Sequence, residues 1–213
     1  MRIVIAGGHG KIALLLARQL VESGHQAVSI IRNPAHADEV EATGAEPVVL
    51  DLEQATSGEL AARLDGADAV VFAAGAGGGS TAERKLTVDR DGATMLIAAA
   101  ELAGVRRYVL ISAMAADSFD PDSSEIFQVY LRAKSEADAA LRNSDLDWTI
   151  VRPGGLTDDA PTGSVRVAES TGRGTIPRAD VAAVVLHCLT HNATIGRQFE
   201  VISGDTPIAD ALA

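Results

Sequence analysis

Residues 2–6, RIVIA, are apolar after their first member, and a glycine cluster follows at once. Unbroken apolarity over so few positions reads as a strand buried on both faces. The next stretch, KIALLLARQLVES (11–23), keeps Ile12, Leu16 and Leu20 on one stripe and sets Arg18 and Glu22 away from it. That spacing predicts a helix with one apolar side. The same alternation recurs to the end of the chain. Strand-type runs at 25–32, 46–50, 67–74, 105–112, 146–153 and 197–203 are separated by helical runs near 36–44, 57–64, 82–103, 124–143 and 179–191. Gly104 is the expected stop of the long helix before it. The polar stretch opening at residue 113 predicts a loop. Residues 154–177, rich in Gly, Thr and Asp, predict short strands or loops.

Alternating strands and helices imply right-handed crossovers and a mostly parallel sheet covered on both faces. The expected class is α/β, a doubly wound Rossmann-like sheet. At 213 residues the chain fits a single domain, 1–213, with 154–177 as a small C-terminal lobe on the substrate side. Hydrophobic residues reach 47% but aromatics only 3%, so Ala, Val, Leu and Ile must build the core.

A formal charge of -11 argues against nucleic acid and anionic membranes as partners, since both need a basic surface. A single cysteine, Cys188, excludes an intrachain disulfide framework and a Cys-based zinc site, and its apolar surroundings predict a small buried hydrophobe. His187 and His191 stand at i, i+4, a metal-compatible spacing, but no third ligand is evident and no metal is expected. No apolar run approaches the ~18 residues of a membrane span, and the chain opens directly on a strand. The expectation is a cytoplasmic protein, monomer or homodimer.

Candidate chemistry begins at Gly7-Gly8-His9-Gly10-Lys11-Ile12-Ala13. A glycine turn between a first strand and a helix lets the backbone approach a pyrophosphate, and the helix N-terminus supplies N–H groups and positive dipole. The spacing is G-x-x-G-x-x-A, and Ile12 after Lys11 excludes the Gly-Lys-Ser/Thr ending of a triphosphatase loop. His9 and Lys11 either face the phosphates or stand in solvent at the loop tip. The second strand ends at Arg32-Asn33 with no acidic residue before Asp38. A basic residue there suits the 2′-phosphate of NADP(H) rather than the hydroxyl of NAD(H). Asp51, with Leu52 beside it, ends the third strand and is placed for the adenine. Small Ala73, Ala74 and Gly75 end the fourth and leave room for a cofactor.

The segments AGGHGKIA, IIRNP, VRRYVLIS, VYLRAKSEADAALRNSDLDWTIVRPGGLTD and RADVAAVVLHCL…FEVISGDTPI together cover nearly the whole chain. In this combination the chain resembles the atypical short-chain dehydrogenase/reductases, and within them the small single-domain bacterial NAD(P)H-binding members. The resemblance implies NADP(H) contacts at Gly7, Gly10, Ile12, Arg32, Asp51, Ala73 and Gly75, with Pro153 and Gly154 near the nicotinamide. It also implies chemistry by Tyr-x-x-x-Lys, here Tyr130 and Lys134. At i, i+4 they share one helix face, Lys134 holding the cofactor ribose and lowering the Tyr130 pKa for proton exchange with the substrate. The expected third member is a hydroxyl after the fifth strand. Ser112 stands one or two positions earlier than in extended relatives and either polarises the substrate or lines the cofactor; Ser118 and Ser123 are the other hydroxyls of the loop.

Three functions follow. The first is an NADP(H)-dependent oxidoreductase acting on a small carbonyl, quinone or flavin-like acceptor. The second is a non-catalytic NADP(H)-binding redox sensor. The third is a module for another nucleotide.

Overall fold

The computed structural model describes residues 1–213. Strands β1 (Arg2–Ala6), β2 (Gln26–Ile31), β3 (Glu46–Val49), β4 (Ala69–Phe72), β5 (Arg107–Ile111) and β6 (Asp147–Pro153) lie parallel in the order β3-β2-β1-β4-β5-β6. This is the doubly wound Rossmann order, with its reversal point between β1 and β4. Strand β10 (Arg197–Ser203) extends the sheet in parallel beside β6.

The chain adds more after residue 154 than its pattern predicts. Within 154–177, β7 (Gly155–Thr157) and β9 (Thr175–Pro177) pair with each other, whereas β8 (Ser164–Ala168) joins the main sheet antiparallel to β10. A short β11 (Thr206–Pro207) then pairs with β8. Val165 and Val167 pair on β10 and bury apolar surface against it, which draws this segment into the nine-stranded sheet.

Helices cover both faces. On one side lie α1 (Lys11–Glu22), α7 (Arg178–Thr190) and the terminal α8 (Ile208–Ala211), over a core containing Ile3, Ile5, Leu16, Leu20, Val71, Val109 and Val185. On the other lie α3 (Ser57–Arg63), α5 (Gly92–Ala103) and α6 (Ile126–Arg142), over Val4, Ala6, Phe72, Leu96, Tyr108 and Leu141. Alternate residues of β1 thus serve opposite cores, which is why RIVIA carries no inward-outward alternation. A short α2 (Ala37–Glu41) leads into β3, the edge strand, where Pro47 is tolerated. Gly104 caps α5 in the left-handed region at φ 71°. No helix is long and apolar enough to cross a membrane.

The predicted helix 82–103 is interrupted. One α-turn, α4 (Ala82–Arg84), passes into a π-helical segment, Lys85–Asp91, before α5 begins. That segment packs on α6 and widens the helix where Asp89 turns inward.

Candidate functional site

The glycine turn sits at the carboxyl end of β1, beside the reversal point. Gly7 adopts φ 82°, and a Cβ there would stand 2.4 Å from the Ala74 Cα, so no side chain fits. The Gly10 N–H closes the turn by donating to the Gly7 carbonyl at 2.9 Å. Gly10 then caps α1 without any side-chain bond, and no acidic residue stands in the first turn. The N–H groups of that turn therefore stay available to an anion.

A cavity of about 350 Å³ opens in front of this turn. Gly7, His9 and Gly10 form one wall, Arg32 and Asn33 a second, Asp51 and Leu52 a third, and Ala73, Ala74 and Gly75 the fourth. Ten residues singled out from sequence thus converge from four strand ends on one space. His9 stacks on His36 with ring centres 3.6 Å apart and meets Glu39 at 3.1 Å. The Asn33 side chain accepts from the Ala35 N–H, and Asp51 accepts from the Glu53 N–H.

Other expected residues stand outside the cavity lining. Ile12 packs against the core, and Lys11 reaches away to Asp158 at 2.6 Å, which Arg178 also holds at 2.6 Å. Pro153 ends β6 and its carbonyl accepts from the Met114 N–H. A Cβ on Gly154 would come within 2.5 Å of the Gly174 carbonyl oxygen, so glycine there serves close backbone packing.

Tyr130 and Lys134 share the α6 face that meets the π-helical segment. Lys134 is buried, its Nζ 3.2 Å from Asp89 Oδ1 and donating to the Ile111 carbonyl at 3.2 Å. The other Asp89 oxygen accepts from the Ala76 N–H at 3.0 Å, on the cavity wall. Burial opposes the Lys134 charge, but Asp89, Tyr130 and Asp138 together more than offset it, and its pKa lies above the ordinary lysine value. Lys85 Nζ stands 4.9 Å from the Tyr130 ring centre and Lys134 Nζ 5.9 Å. The Tyr130 phenol nonetheless sits above its ordinary pKa, because burial outweighs the nearby Lys134 charge. The lowering expected from lysine alone is present but smaller than the desolvation.

Ser112 does not join them. Its hydroxyl donates to Asp138 at 2.9 Å inside a buried cluster, where Arg152 also holds Asp138 at 2.7 Å. Ser118 lies in a one-turn 3-10 helix, and Ser123 accepts from the Glu125 N–H ahead of α6. His187 and His191 stack 4.0 Å apart, and no cluster of three ligating side chains forms around them.

A family profile described as NAD(P)H-binding matches residues 7–192. The chain belongs to this NAD(P)H-binding family. Among its relatives is a Bacillus subtilis (strain 168) protein named as an uncharacterized sugar epimerase, YhfK, 38% identical across 100% of this chain and 99% of the relative. A Bacillus halodurans structure, provisionally named an NAD-dependent epimerase/dehydratase, superposes with TM-score 0.91 at 38% identity, covering 100% and 98% of the two chains. The oxidoreductase ylbE from Lactococcus lactis superposes with TM-score 0.88 at 29% identity, covering 100% and 95%.

Within this NAD(P)H-binding chain the geometry adds residues that motif reading passes over. Glu53, Arg84 and His36 line the same cavity, and Asp89 ties Lys134 to its wall. Glu53 follows Asp51 by two positions, a signal that a wider reading of the third strand's end would have caught. Arg84 and Asp89 lie in a stretch whose apolar pattern reads as plain helix.

Proposed function

We propose that the chain is a cytoplasmic NADP(H)-dependent oxidoreductase of the atypical short-chain dehydrogenase/reductase type, acting on a small carbonyl, quinone or flavin-like acceptor. The observation that carries this reading is the chain of contacts from Tyr130 and Lys134 through Asp89 to the cavity wall at Ala76. It ties Tyr130 and Lys134 to the rim of the cavity in front of the glycine turn.

The bound cofactor would supply hydride exchange at its nicotinamide ring. The protein's own groups do the rest. The Gly7–Gly10 turn and the open first turn of α1 receive the pyrophosphate. Arg32 takes the 2′-phosphate and Asp51 the adenine side. Tyr130 carries the proton that the substrate oxygen gains or loses. No side-chain hydrogen bond holds its phenol oxygen, which leaves the hydroxyl available to a substrate oxygen. Lys134 keeps a positive charge beside the ring and favours the phenolate that proton donation leaves behind. The relatives named as epimerases leave open a sugar substrate as an alternative.

A second reading, a cofactor-binding sensor without turnover, is favoured by Ser112, whose hydroxyl is committed to Asp138 rather than to a substrate. Direct titration with NADPH, NADH and ATP tests the nucleotide reading. Arg32→Ala should weaken NADPH far more than NADH; equal losses would refute the 2′-phosphate assignment, and tighter ATP binding would point to another nucleotide.

A further inference from the structure

The acidic residue missing from the end of β2 arrives from another strand. Glu53, in the turn after β3, presents its carboxylate to Arg32 at 3.1 Å, to Arg84 at 2.6 Å and to the Thr87 hydroxyl at 2.7 Å. All but Thr87 line the cavity. The Glu53 side chain is only 19% exposed. Its bond to Arg84 holds its carboxyl below the usual range, so it is an anion at neutral pH.

In dinucleotide folds the ribose-facing position chooses the cofactor. An acid accepts the 2′-hydroxyl of NAD(H); a guanidinium takes the 2′-phosphate of NADP(H). Here both chemistries occupy one place. Two guanidiniums and one carboxylate leave a single net positive charge, which attracts a phosphate less than a free arginine pair would. The Arg32 and Arg84 bonds to Glu53 are also the bonds that a phosphate would make.

We propose that Glu53 is the specificity-determining residue of the cofactor site, an internal anion that competes with the 2′-phosphate for Arg32 and Arg84. This rests on Arg32 being the 2′-phosphate contact. A 2′-phosphate binds by displacing the carboxylate from both guanidiniums, and Arg84 becomes its second ligand. Thr87 keeps a hold on the displaced carboxylate. A 2′-hydroxyl, in contrast, finds an acceptor already in place. Glu53 thereby restrains the preference for NADP(H) and keeps NAD(H) in use.

The experiment is equilibrium titration of the full chain with NADPH and NADH, and with adenosine 2′,5′-bisphosphate against AMP to isolate the 2′-phosphate. Glu53→Gln keeps the shape and an oxygen for Thr87 but removes the charge. The preference for NADPH over NADH should rise on the order of tenfold, as expected for one nearby charge. The bisphosphate should gain and AMP should not. Arg84→Gln should lower the same preference. An unchanged or lowered preference in Glu53→Gln, with melting temperature intact, overturns the proposal. Arg32→Ala separates the two levels: if it weakens NADPH and NADH equally, the 2′-phosphate contact itself falls, and the competition with it. If it weakens NADPH selectively while Glu53→Gln changes nothing, the contact stands and only the competition falls.

Discussion

Replacing Asp89 by asparagine should strip Lys134 of its counter-charge while sparing the backbone around it. Asn retains a carbonyl oxygen for the Ala76 N–H, so the substitution isolates the charge. The two side chains are 4% and 1% exposed and 3.2 Å apart, which leaves water little access to screen the orphaned ammonium. Removing one partner of such a pair costs about 3–5 kcal/mol. For a chain of this length each kcal/mol lowers the melting temperature by roughly 2–4 °C, so a fall of about 6–20 °C is expected. Thermal unfolding followed by circular dichroism reads it. Asp89→Asn combined with Lys134→Met removes both charges and should recover most of the loss, since the cost lies in the unpaired ion rather than in the missing bond. A single variant that loses less than about 1 kcal/mol would show a solvent-screened surface pair and refute the reasoning.

Other consequences can be checked alongside. Gly7→Ala forces a side chain into the left-handed region and against the Ala74 backbone; it should cost about 2–5 kcal/mol of stability and abolish NADPH binding in titration. Cys188 is fully buried and burial pushes its thiol up to about 11, so a disulfide reagent at pH 8 should leave it unmodified until denaturant is added. Fast native labelling would contradict its place on the buried face of α7.

The sheet was legible because its central strands β1, β4 and β5 are buried on both faces and so appear as apolar runs, with helical runs between the strands. The glycine turn was legible because Gly7 is dictated by local geometry, a positive φ beside a neighbouring strand end. What escaped depends on partners far apart in the chain. Ser112 looks like an active-site hydroxyl until Asp138, on α6, takes its proton bond. Glu53 looks like a turn residue until Arg84 reaches it from beyond β4. The π-helical turn at Lys85–Asp91 leaves no mark on the apolar periodicity of 82–103, yet it positions Asp89. Residues 164–168 alternate as a strand does, but only the facing β10 edge reveals which sheet they complete.

Whether Tyr130 moves a proton while the cofactor exchanges hydride is measured most directly by NADPH consumption over a panel of small carbonyls, quinones and flavins, comparing the wild type with Tyr130→Phe. Phenylalanine keeps the ring beside Lys85 and Lys134 and removes only the hydroxyl. Turnover of at least one acceptor is expected, with kcat lowered by roughly 10²–10⁴-fold in Tyr130→Phe and NADPH binding unchanged. Identical trace rates in both proteins on every acceptor would contradict it.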